Sequence, residues 1–166
     1  MHSDVSVAEV SEEIPGGAFV PGFLQVLSET FEGARPDASL YLDHERNTGL
    51  FATLNALSAE QASRATPLGP AVASLAEHVL FHLSATTAAL RGEALALDWA
   101  ASWDVQVVTD ASWRELRGQL HDEYHELRRL VLHREAWDAD EVAGVVAAVT
   151  HVAYHLGVMR QVAKLV

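Results

Sequence analysis

The chain is 166 residues long, 49% apolar and 20% charged, a composition that suits one globular domain with a buried core rather than a disordered chain. Its 23 Asp and Glu against 11 Lys and Arg give a formal net charge of -12, which argues against nucleic-acid and anionic-membrane partners, because both need clustered cationic side chains. There is no cysteine, so disulfides, thiolate metal ligands and a cysteine nucleophile are excluded, and any metal must rest on His, Asp or Glu.

Residues 1–20, opening MHSDVSVAEVSEEIPGG, carry Ser, Glu, Pro and Gly without periodicity and read as a flexible tail. That leaves 21–166 as a single domain. The tail is acidic and lacks a basic segment followed by an apolar one, so no secretory signal is expected. No apolar run approaches the roughly 18 residues needed to span a bilayer, so the expected location is the cytoplasm. FLQVLSETFEG (23–33) predicts a short N-terminal helix, closed by Gly33 and followed by Pro36. ERNTGLFATLNAL (45–57) places Leu50, Phe51, Leu54 and Leu57 at helical spacing, and Ser58 then suits the N-cap of a short turn, AEQAS.

A long apolar helix is predicted over 70–91, stopped by Gly92. The connection that follows holds Trp99 and Trp103 and is long for a compact domain, so it is expected to cross the bundle or cover something. Ser112 and Glu115 in SWRE form a capping-box pattern that opens a third helix running to Leu132. A fourth begins near Asp140 and carries apolar residues almost to Val166. VQVV (105–108) is a doubtful strand, and no convincing alternating segment is present. The predicted class is therefore all-α: a four-helix bundle with a short N-terminal helix and a long crossover between its second and third helices.

Nine histidines are present, and six of them form three pairs four residues apart: His78/His82, His121/His125 and His151/His155. Residues at that spacing share a helical face, so each pair could chelate one ion. At about 100° per residue, Gly144, Ala148, His151, Val158, Met159 and Val162 fall within roughly 60° of His155, with Arg160 and Lys164 opposite. His151 and His155 thus occupy the stripe that should face the core. A buried polar ring without a partner costs on the order of 1–3 kcal/mol, so two together need compensation. On the third helix the core stripe is Trp113, Leu116, Leu120, Leu127 and Val131, and His121 and His125 lie about 100° and 140° from its centre. They read as solvated surface residues. On the second helix, projection does not choose between His78 and His82. A pair on the last helix plus one ring from a neighbour would give three imidazoles with open positions for water and substrate, as catalytic sites require. The competing explanation is a set of hydrogen-bonded core histidines without a metal.

THVAYHLGVMRQ (150–161) resembles the last-helix motif H-x-x-Y-H-x-G-x-x-R-Q of the DinB/YfiT-like metalloenzyme superfamily. GLFATLNALSAEQAS (49–63) is similar to that family's first helix and turn, SLAEHVLFHL (74–83) to its second-helix histidine motif, and the tryptophan-bearing RGEALALDWAASW to one of its branches. The resemblance covers roughly residues 41–162. It implies a four-helix bundle holding a divalent metal (nickel, zinc, manganese or iron) on His78, His151 and His155, with His82 one turn on as a neighbour or alternative ligand. It further implies a homodimer acting on a small-molecule substrate, with a low-molecular-weight thiol as a cofactor of several relatives.

The chemistry expected of such a site is a Lewis-acidic cation that lowers the pKa of a bound water or thiol, for hydrolysis or S-transfer. No catalytic acid or base is singled out. Glu77 is expected to be solvated, Tyr154 to pack or hydrogen-bond near the site, and Arg160 to form a salt bridge. Trp99 and Trp103 would anchor the crossover or line a lid. The alternative function is a non-catalytic metal-binding or dimeric stress-related protein, in which His82 would complete a closed, structural site.

Overall fold

The structure, a computed structural model, describes residues 13–35, 37–43, 48–94 and 96–166. It is mostly helical, and the all-α class is correct. In chain order come β1 (Ile14–Pro15), α1 (Gly16–Glu32), α2 (Leu50–Asn55), α3 (Ala59–Ala62) and α4 (Val72–Leu90). A 3-10 turn at Ala101–Trp103 precedes α5 (Asp110–Leu132), β2 (Ala136–Trp137), α6 (Ala139–Val162) and a last 3-10 turn, Ala163–Leu165. α4 packs along both α5 and α6, and α1 packs along the same two helices from the other side.

α1 corrects the expected boundaries of the N-terminal tail. Residues 1–12 lie outside the described part, but from Ile14 onward the chain is ordered into β1 and a 17-residue helix. The helix runs through Pro21 and the glycines at 16, 17 and 22, whose low helix propensity tertiary contacts override. β1 pairs antiparallel with β2, Ile14 opposite Trp137, and the Gly16 N–H donates to the Glu135 carbonyl at 2.7 Å. A Cβ on Gly16 would stand 2.5 Å from the Arg134 carbonyl oxygen, so glycine is required for this approach. Val20, Phe23, Leu27 and Phe31 then repeat every three or four residues and are all buried.

The expected lengths of the first two helices are thus reversed. The N-terminal helix is a full wall of the core, whereas the segment predicted over 45–57 yields only the six-residue α2 within its described part, residues 48–57. Gly49, in extended conformation, is the N-cap and starts α2 late. It packs against the Gly33 turn so closely that a Cβ there would sit 2.7 Å from the Phe31 carbonyl oxygen. Gly33 itself has φ 101°, the left-handed side that favours glycine.

α4, α5 and α6 follow their apolar periodicity closely. Trp113, Leu116, Leu120, Leu127 and Val131 are buried as expected, with Tyr124 added to that stripe. The cap of α5 lies three residues earlier than SWRE suggested: Thr109 accepts from the Ser112 N–H at 3.2 Å, and Ser112 Oγ accepts from the Thr109 N–H at 2.9 Å. A serine at the third helical position completes the box as a glutamate would, which moves the start upstream. Asp138 and Glu141 form the same device at α6. VQVV is not a strand. By length and composition alone Ala139–Leu165 would suffice to cross a membrane, which corrects the expectation that no segment does; an apolar core helix meets the same criterion.

Candidate metal centre

α4 and α6 each contribute two imidazoles to one place. α4 presents its buried residues Leu75, Ala76, Val79 and Leu83 to the interior, and α6 presents Val145, Val149, Val152, Leu156 and Met159. His78 and His155 are buried with them, at 7% and 6% exposure, while His82 and His151 are half-buried. Ring centroids lie 5.0 Å apart for His78–His151, 5.0 Å for His78–His155, 3.7 Å for His82–His151 and 4.4 Å for His151–His155.

Ligand atoms of His78, His82 and His151 fall within 4.8 Å of one another, a group that could hold a metal ion. Of the expected ligands His78, His151 and His155, the first two belong to this group, with His82 as its third member; His155 is not one of the three, although its ring lies 5.0 Å from that of His78 and 4.4 Å from that of His151. Two nitrogens in this cluster, His151 Nε2 and His155 Nδ1, are buried with no hydrogen-bond partner among the described residues. Buried polar atoms are nearly always paired, and a divalent cation is one group whose chemistry fits unpaired imidazole nitrogens. The donor set is all imidazole, which suits zinc, nickel and iron, and manganese less well.

Electrostatics favour the same use. Burial pushes His78 down to about 4, assisted by the neighbouring rings of His82 and His155. His151 is likewise lowered to about 4 by burial, then by His82, His155 and His78. Burial also lowers His82 and His155. The rings are thus held neutral near pH 7, with lone pairs free for a Lewis acid.

The crossover packs directly on these rings. Trp103 stacks on His78 with centroids 3.8 Å apart at 21°, and the half-exposed Trp99 lies 4.7 Å from His82. Ser102, at 1% exposure, places its Oγ 2.7 Å from His78 Nδ1. Sequence reasoning missed Ser102, because nothing in a Ser-Trp dipeptide marks a partner 24 positions away. Beside His82 and Trp99 opens a cavity of ≈ 390 Å³, walled by Ala85, Ala89, Leu90, Gly144 and Val145.

The remaining candidates fall outside the cluster or at its edge. His121 stacks on Phe51 at 3.6 Å, and His125 is exposed with its ring 6.4 Å from His121. Arg160 forms the expected ion pair, 3.6 Å from Asp43. Tyr154 is 68% exposed and meets His155 edge-on. Glu77 is half-buried rather than solvated, and burial raises its carboxyl; it lines cavities between α4 and α5, not the one beside His82. Compared with known proteins, the chain matches no family model, no curated protein and no solved structure.

Proposed function

We propose that the chain is a divalent-metal-dependent enzyme of the DinB/YfiT-like kind, a four-helix bundle of α1, α4, α5 and α6 with His78, His151 and His155 as ligands. The observation that carries this reading is the pair of buried, unpartnered nitrogens on His151 and His155, on rings that lie within 5.0 Å of the His78 ring of α4. When bound, the ion would supply Lewis acidity, lowering the pKa of a water or a small thiol. The protein's own part is to hold neutral imidazoles in place, to shield them with Trp103, and to admit a small-molecule substrate through the cavity beside His82 and Trp99. A low-molecular-weight thiol is the proposed co-substrate, with S-transfer or hydrolysis as the reaction. The same reading carries a cytoplasmic homodimer.

A second reading, a non-catalytic metal-binding protein, is favoured by one observation: His82 has a ligand atom within 4.8 Å of those of His78 and His151. Four protein ligands would close the coordination sphere, as in structural sites. X-ray absorption on the purified metal-loaded protein separates the two. Ring scattering counts the imidazoles: three with a non-imidazole donor support the enzyme, and four support the closed site. Metal analysis of wild type and His151→Ala, with a screen for thiol-dependent transfer to electrophiles in wild type and His155→Ala, tests the function. Equal metal content in the first pair, or equal rates in the second, would overturn it.

A further inference from the structure

We propose that Ser102 is a positioning residue that fixes the tautomer of His78, placing its proton on Nδ1 and its lone pair on Nε2. A serine hydroxyl has one hydrogen to give and two lone pairs to accept with. Ser102 Oγ stands 2.7 Å from the Trp99 carbonyl oxygen and 2.7 Å from His78 Nδ1. A carbonyl oxygen has no hydrogen, so that contact is a hydrogen bond only if Ser102 donates to it. The hydroxyl must then accept from His78, and Nδ1 must carry an N–H. The reverse arrangement, with Ser102 donating to Nδ1, would leave two oxygens 2.7 Å apart with no hydrogen between them, at a residue that is only 1% exposed. One tautomer satisfies both contacts.

Two consequences follow. The free lone pair of His78 is on Nε2, and an imidazole whose other nitrogen donates to a fixed acceptor is oriented and made more basic toward a metal. This consequence rests on the proposed metal centre; the tautomer does not. The same chain of bonds also ties the crossover to the ring, since Trp99 supplies the carbonyl and Trp103 stacks on the His78 face.

The test begins on the metal-free protein, so that it does not depend on the site being used. Long-range proton–nitrogen correlation spectra identify which nitrogen of each histidine is protonated. In wild type, His78 is expected as the Nδ1–H form; finding it as Nε2–H overturns the proposal. Ser102→Ala should shift His78 toward the Nε2–H form that an unconstrained side chain favours, and an unshifted tautomer there overturns it as well. In a chelator competition, Ser102→Ala should bind zinc about 10–100-fold more weakly than wild type. Ser102→Thr, which keeps the hydroxyl, should restore both the tautomer and the affinity. If wild type binds no zinc, the metal-centre reading fails, and the tautomer spectra still decide the role of Ser102.

Discussion

Two regions of this protein bury polar groups, and they do so in opposite ways. Glu29 on α1, 5% exposed, accepts from the N–H groups of Leu40, Tyr41 and Leu42 at 2.7, 2.9 and 2.7 Å, and the Ser39 hydroxyl lies 3.0 Å from it. Burial alone would raise that carboxyl, but these donors outweigh it and hold it below its ordinary 4.5. The histidine cluster between α4 and α6 buries neutral rings, at a smaller cost than a carboxylate, and leaves two nitrogens without a partner among the described residues. The first region is complete within the chain and reads as a clamp for a turn. The second keeps nitrogens without a partner among the described residues, the feature on which the proposed metal centre rests.

This contrast can be broken or sharpened by experiment. The largest effect is expected from His151→Ala, which should weaken binding of a divalent ion by more than about 100-fold, beyond the loss typical of an outer-shell change. Equilibrium dialysis measures it, and retained affinity would erase the distinction between the two regions. Next, a cation at about 100 times its dissociation constant should stabilise wild type by about 2.7 kcal/mol, a rise of several degrees in Tm that a chelator reverses. Glu29→Ala should keep the metal response of wild type, because the histidine cluster is untouched, yet lose about 2 kcal/mol in urea unfolding, because the part-buried backbone N–H groups of residues 40–42 lose their acceptor.

The acid limb of stability gives a smaller and more specific test. The native carboxyl of Glu29 titrates below the unfolded value of 4.5, so its contribution is fully present above that pH and disappears as pH falls through the native pKa. Glu29→Gln should therefore flatten that part of the pH dependence in urea titrations, while His151→Ala leaves it unchanged. The smallest effect belongs to His121→Ala. Its ring only stacks on Phe51, so a loss of about 0.5–1.5 kcal/mol and no change in metal affinity are expected.

Much of this was legible in the residues themselves. The 3.6-residue spacing located α4, α5 and α6, and the projection of α6 turned His151 and His155 inward, where the structure has them. Local signals failed where partners are distant. The start of α1 depends on Glu135 and Trp137, more than a hundred residues away, and no helix propensity could show that Pro21 would be tolerated. Glu29 and Ser102 look like ordinary surface residues in the sequence, because their partners are backbone groups and a ring brought near by turns. Projection left His78 and His82 open, and the rings of both lie close to that of His151.

The indole of Trp103, 3.8 Å from the His78 ring, has an optical consequence. An open-shell ion such as nickel or manganese on those imidazoles would drain the excited states of this indole and of Trp99, 4.7 Å from His82, while Trp113 and Trp137, sealed at 2% and 1% exposure in the core, keep emitting. If the proposed ion binds, its occupancy would be readable in a cuvette as partial loss of tryptophan emission, without any label.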